Sequence, residues 1–152
     1  RAVREADVVV ASLVGAGHEG LDDALALLPD APGGLRYGTV VVDEASQATE
    51  PATLVPLTRG CRRLVLVGDH CQLPPTVASP HALRAGLGVS LLARLVAAGV
   101  RPQVLEDQYR MHPALADFPS AAFYAGRLRS VPAPADRPLP PGFDWPRPDT
   151  PV

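Results

Sequence analysis

Thr39-Val40-Val41-Val42-Asp43-Glu44 and Leu64-Val65-Leu66-Val67-Gly68-Asp69 are the stretches that decide the fold. Each is a short, continuous, valine-rich run that ends in an acidic residue. Unbroken apolar runs of this length, without polar alternation, are the pattern of parallel strands covered on both faces. Val8-Val9-Val10-Ala11 reads the same way, and Val104-Leu105 reads so more weakly.

Helical patterns separate these runs. Leu21, Ala24, Leu25 and Leu28 are apolar at helical spacing. Glu50 to Leu57 carries Pro51 where a first helical turn tolerates proline. Ser90 is a suitable N-cap for a helix that runs to Ala98 and stops before Gly99. Strands alternating with helices predict an open α/β sheet. Beyond Val131 the pattern changes: 8 of the 18 prolines fall between Val131 and Val152, which predicts an extended or poorly ordered tail.

Bulk properties fit an ordinary globular domain and exclude little else. The 152 residues are 47% hydrophobic and 20% charged, with a net charge of −2. Overall charge therefore gives no attraction to nucleic acid, and any phosphate binding has to rest on local groups. No apolar run approaches the roughly 20 residues that span a bilayer, and no signal-peptide pattern opens the chain. Cys61 and Cys71 lack zinc-site spacing and read as free thiols. All 14 basic residues are arginine.

Three strings carry chemistry. At the carboxyl edge of a parallel sheet, where α/β proteins bind ligands, Asp43 suits Mg²⁺ held through water, and Glu44 suits polarising an attacking water. In Gly68-Asp69-His70-Cys71-Gln72-Leu73-Pro74-Pro75, Gly68 permits a sharp exit from the strand and the prolines stiffen the loop that presents Gln72. A glutamine there can report on a γ-phosphate by hydrogen bonding. In Gln108-Tyr109-Arg110-Met111-His112-Pro113, a guanidinium suits transferring phosphoryl oxygens, and Tyr109 offers a face for stacking. Taken singly, these strings are also a solvated acidic turn, a strand-to-turn transition and a surface arginine at a helix start.

In this order and spacing the three strings resemble motifs II, III and IV of superfamily 1B helicases. The chain looks most like the helicases that regulate nonsense transcripts in mRNA decay, and more distantly resembles the senataxin and immunoglobulin mu-binding helicases. Ala6-Asp7 through Val14-Gly15-Ala16-Gly17, Asp43 through Pro51, His112 through Ser120 and Phe143-Asp144-Trp145-Pro146 extend the likeness over nearly the whole chain, apart from loops near residues 19–36 and 132–141.

The resemblance implies two tandem RecA-like domains, with residues 1–102 the later part of the first and 103–152 the start of the second. It implies ATP and Mg²⁺ as cofactors. Asp43 would hold the metal through water and Glu44 would be the catalytic base. Gln72 would sense the γ-phosphate, with Asp69 supporting its loop. Arg110 would be an arginine finger, Tyr109 would pack near adenine, and Ser12 would lie near the nucleic-acid backbone. The expected function is a fragment of an ATP-dependent RNA helicase moving 5′ to 3′ on single-stranded RNA. It would be a monomer, cytoplasmic or also nuclear, working with mRNA-decay factors. Alternatives are a truncated, non-catalytic binding product and a DNA helicase of the same superfamily. No G-x-x-x-x-G-K-[ST] string occurs in these residues, which contain no lysine, so the chain alone is expected to turn over no ATP.

Overall fold

In a computed structural model the described residues are 5–26, 37–139 and 141–147. They form two compact units, Arg1–Arg101 and Pro102–Val152.

The first unit is built on two parallel strands, β1 (Thr39–Val42) and β2 (Arg63–Leu66), paired in register from Thr39 with Arg63 to Val42 with Leu66. Period-two geometry puts Val40, Val42, Leu64 and Leu66 on one face. That face meets Ala45 and Leu92, with Leu13, Tyr37, Leu57 and Val96 packed around them. Helix α1 (Glu19–Ala26) precedes the sheet, and the expected end of that helix at Leu28 lies outside the described residues.

Helix α2 (Glu50–Leu57) follows β1, with Pro51 in its first turn as anticipated. Two further helices, α3 (Pro80–Arg84) and α4 (Leu91–Ala97), follow β2. The Ser90 side chain caps α4 by accepting from the Ala93 N–H at 3.1 Å, and Gly99 at φ 97° lies just beyond its end. Glu50 and Arg94 join α2 to α4 through a two-pronged ion pair, 2.6 Å at each contact.

Three expectations need correction here. The sheet is covered on one face among the described residues: Val41, Val65 and Val67 on the other side are 64%, 47% and 46% exposed. Valine-rich runs report strand preference and burial potential, not which layers the neighbouring chain supplies. Second, Val8 to Ala11 forms no ladder, and Val10 is 94% exposed. An apolar run becomes a strand only where a partner satisfies its backbone.

The third correction concerns the second unit. Its sheet is β3 (Asp107–Gln108) paired in parallel with β4 (Arg129–Ser130), not the Val104-Leu105 run, whose Leu105 is 84% exposed. Polar contacts fix that pairing. The Arg129 N–H donates to Glu106 O at 2.8 Å, the Val131 N–H to Gln108 O at 3.0 Å, and the Arg129 side chain pairs with Asp107 at 2.8 Å.

Helix α5 (Pro113–Phe123) lies between these strands, capped by buried His112, whose Nδ1 accepts from the Ala114 N–H at 3.1 Å. The proline-rich stretch expected to be extended or poorly ordered holds a 3-10 turn at Pro134–Asp136 and an edge-on contact of Phe143 with Trp145. Among the described residues no helix is long and apolar enough to cross a membrane.

Candidate functional site

The ladder between β1 and β2 continues past the ends of both strands. The Val67 N–H donates to Val42 O at 2.8 Å, and the Ala45 N–H donates back to Val67 O at 2.8 Å. This draws the Asp43-Glu44 turn alongside Gly68 and Asp69. The approach is so close that a Cβ on Gly68 would lie 2.9 Å from the Ala45 nitrogen and 3.1 Å from that of Ser46. Gly68 has no positive φ, so the glycine is required by crowding and not by the sharp exit read from the sequence.

Within the turn, the Glu44 N–H donates to its neighbour's Asp43 Oδ1 at 2.9 Å, and Glu44 Oε2 accepts from Gln47 Nε2 at 3.1 Å. Glu44 itself sits at φ 50°, in the left-handed region that L side chains seldom adopt. Ser46, two residues on, is buried, and its hydroxyl has no hydrogen-bond partner among the described residues. Unfavourable features of this kind collect where a fold holds groups for chemistry. Both carboxylates are exposed. They are hard oxygen donors open to solvent, a set that fits a largely hydrated Mg²⁺.

The second loop is organised by Asp69. Its Oδ1 accepts from the Cys71 N–H at 3.0 Å and its Oδ2 from Gln72 Nε2 at 2.9 Å, while the Gln72 N–H donates to Asp69 O at 3.1 Å. The Gln72 side chain is thus held by Asp69 at the loop surface. Asp69, His70 and Cys71 also place one ligand atom each within 4.8 Å of one another, but Asp69 is already engaged in ordering the loop.

Ser12 lies elsewhere in the first unit. Its Oγ accepts from the Gly15 N–H at 3.1 Å and its carbonyl from the Ala16 N–H at 2.9 Å, at the entrance to the 3-10 turn Gly15–Gly17. The hydroxyl accepts in this turn, so its own proton remains a donor.

Tyr109 and Arg110 belong to the second unit and follow β3 directly. Tyr109 is 63% exposed, and the exposed Arg110 guanidinium has no ion pair or hydrogen bond among the described residues. Their backbone is held from both sides. Gln108 Oε1 accepts the N–H groups of Arg110 (3.0 Å) and Met111 (2.8 Å), and Gln108 Nε2 donates to Met111 O (3.0 Å) and Ser130 Oγ (2.6 Å). Arg137 donates through Nε to Arg110 O at 2.9 Å and through Nη2 to Tyr109 O. Reading the sequence singled out neither Gln108 nor Arg137 for a role. Gln108 opens the motif string and could have been noticed there, whereas no local signal marks Arg137.

Comparison with known proteins places the chain in a family. A family model described as AAA domain matches residues 1–80, and a second of the same description matches residues 87–152. The chain belongs to the AAA domain family, and over nearly its whole length it is similar to curated helicases and regulators of nonsense transcripts. It is 44% identical over 97% of its length to "Regulator of nonsense transcripts 1 homolog" of Drosophila melanogaster, covering 12% of that protein. It is 52% identical over 78% of its length to "Regulator of nonsense transcripts 1" of Caenorhabditis elegans, covering 11%. It is also 41% identical over 95% of its length to "ATP-dependent helicase NAM7" of Saccharomyces cerevisiae, covering 14%. The chain therefore spans only a small part of the curated relatives it matches.

Proposed function

We propose that these residues are the catalytic middle of an ATP-dependent RNA helicase that acts in nonsense-mediated mRNA decay. The observation that carries the reading is the bond from the Ala45 N–H to Val67 O, which locks the Asp43-Glu44 turn against the loop of Asp69 and Gln72. A carboxylate pair and a glutamine fixed to one ladder can answer to the same phosphate group. Residues 1–102 are then the later part of a first RecA-like domain and residues 103–152 the start of a second.

Asp43 would hold Mg²⁺ through its waters, and the metal would neutralise phosphate charge when bound. Glu44 takes a proton from the attacking water. Gln72, oriented by Asp69, donates or accepts a hydrogen bond at the γ-phosphate. Arg110 offers its exposed guanidinium to developing charge on the transferring phosphoryl group, and Tyr109 offers a face to adenine. The Ser12 hydroxyl donates to a nucleic-acid phosphate. Single-stranded RNA, mRNA-decay factors, a monomeric state and a cytoplasmic setting follow from the same reading. The relatives' names favour RNA over DNA.

The test uses the complete helicase that carries this segment. Glu44→Gln keeps the size and hydrogen bonding of the side chain but removes the base. RNA-stimulated ATP turnover should fall by about 10²- to 10⁴-fold while nucleotide binding is kept. Undiminished turnover would remove Glu44 from the role of base.

A further inference from the structure

Arg110 lies between two peptide planes, and side chains bind every polar atom of both. In the first plane, Tyr109 O accepts from Arg137 Nη2 and the Arg110 N–H donates to Gln108 Oε1. In the second, Arg110 O accepts from Arg137 Nε at 2.9 Å and the Met111 N–H donates to Gln108 Oε1 at 2.8 Å. With both planes fixed, so is the Cα–Cβ direction from which the exposed Arg110 guanidinium extends.

We propose that Arg137 is a positioning residue for Arg110, acting by clamping the carbonyls of Tyr109 and Arg110 from the far side of the turn held by Gln108. The proposal rests on the reading of Arg110 as the group that meets phosphoryl charge. Arginine suits the task because its planar fork carries five donors in fixed directions. All three of its nitrogens are in use here, the third being Nη1, which donates to Asp136 O at 2.8 Å. Its acceptors are neutral carbonyls, and among the described residues it pairs with no carboxylate. Hydrogen bonds from a charged donor are roughly twice as strong as neutral ones, so the charge serves to hold backbone.

The clamp is itself braced. Asp136 Oδ2 accepts from the Ala133 N–H at 2.8 Å and closes the 3-10 turn Pro134–Asp136 immediately before Arg137. Pro132, Pro134 and Pro138 restrict the backbone on either side. A stretch with the composition of a loose tail thereby becomes the stiff arm that carries the clamp.

Steady-state ATP turnover by the complete helicase on saturating RNA tests this, with Arg137→Ala, Arg137→Lys, Arg110→Ala and the double variant Arg110→Ala/Arg137→Ala. Arg137→Ala should lower kcat about 10- to 100-fold, the scale of a displacement near 1 Å, with KM for ATP within about twofold. Arg137→Lys keeps the charge but reaches one carbonyl at a time, so its loss should be intermediate. In the Arg110→Ala background, Arg137→Ala should cause no further loss, because a residue acting through Arg110 has nothing left to position. An equal loss from Arg137→Ala in both backgrounds would assign it a general structural role and overturn the proposal, as would an unchanged kcat in Arg137→Ala alone. If Arg110→Ala turns over normally, the reading of Arg110 itself is wrong and the clamp has no catalytic group to serve.

Discussion

Gly68→Ala is the smallest change that tests whether the two candidate loops act as one unit. The new methyl would lie 2.9 Å from the Ala45 nitrogen, 3.1 Å from the Ser46 nitrogen and 3.3 Å from Leu92 Cδ2. The leucine methyl can rotate away, but the two nitrogens belong to the turn that carries Asp43 and Glu44. That turn must retreat by a few tenths of an ångström, stretching the 2.8 Å bond from the Ala45 N–H to Val67 O. Overpacking of this kind costs about 1–3 kcal/mol. Hydrogen exchange in the complete helicase reads the cost locally. The Ala45 and Val67 amides should exchange roughly 5- to 150-fold faster, the ratio equivalent to that energy. Gly38→Ala is the control: its Cβ would meet nothing within 4 Å and its φ is ordinary, so protection should be unchanged or slightly raised. Unchanged protection at Ala45 and Val67 in Gly68→Ala would refute the close-approach argument.

Three further outcomes follow from the same geometry. Glu44→Gly relieves a left-handed backbone at φ 50° and should slow exchange around the turn by an amount equivalent to about 1 kcal/mol, while abolishing ATP turnover; faster exchange would mean that the Glu44 side chain stabilises the turn. Glu50 is held below its ordinary pKa of 4.5 chiefly by its hydrogen bond from Arg94, aided by the arginine's charge and opposed by burial. The pair's contribution is therefore complete above about pH 4.5 and lost as pH falls through the lower folded value, so the stability difference between the parent and Glu50→Gln should shrink in acid; a difference that grows in acid would reverse the sign. The 152 residues alone, which contain no lysine, should show no RNA-stimulated ATP turnover in a radiometric assay, and measurable turnover would mean phosphate binding without a P-loop lysine.

The elements legible in the sequence were those with a local cause. Val-rich runs bounded by a turn gave β1, Pro51 marked the start of α2, and Ser90 with Gly99 bracketed α4. Features that depend on a distant partner were not legible. Among the described residues, Val8-Val9-Val10-Ala11 has the composition of a strand but no ladder, and the Val41 and Val65 face lacks the cover that their composition suggests. The arms of Arg137 reach 27 and 28 residues back in the chain. They end on backbone carbonyls, which every residue type has and no motif can mark. Side chains that recognise backbone leave no complementary residue to look for, which is why the Asp43-Glu44 pair stands out in the sequence and Arg137 does not.

The same asymmetry separates groups that hold the fold from groups held by it. Glu50 and Arg94 satisfy each other and join two helices. Glu44 takes a left-handed backbone and presents an exposed carboxylate, and Arg110 has two peptide planes fixed by neighbouring side chains beneath a guanidinium that has no partner among the described residues. Neither arrangement favours the folded chain on its own terms, since exposed unpaired charges add little stability and a strained backbone subtracts from it. Rigid support beneath an exposed charged head gains its value chiefly when an oppositely charged or reacting group arrives, because fixed groups then need no reorganisation. The acidic turn suits a hydrated cation and the guanidinium suits phosphate oxygens. On the proposed reading, a hydrated cation and a phosphate group would thus each be served by its own rigidly supported charged device.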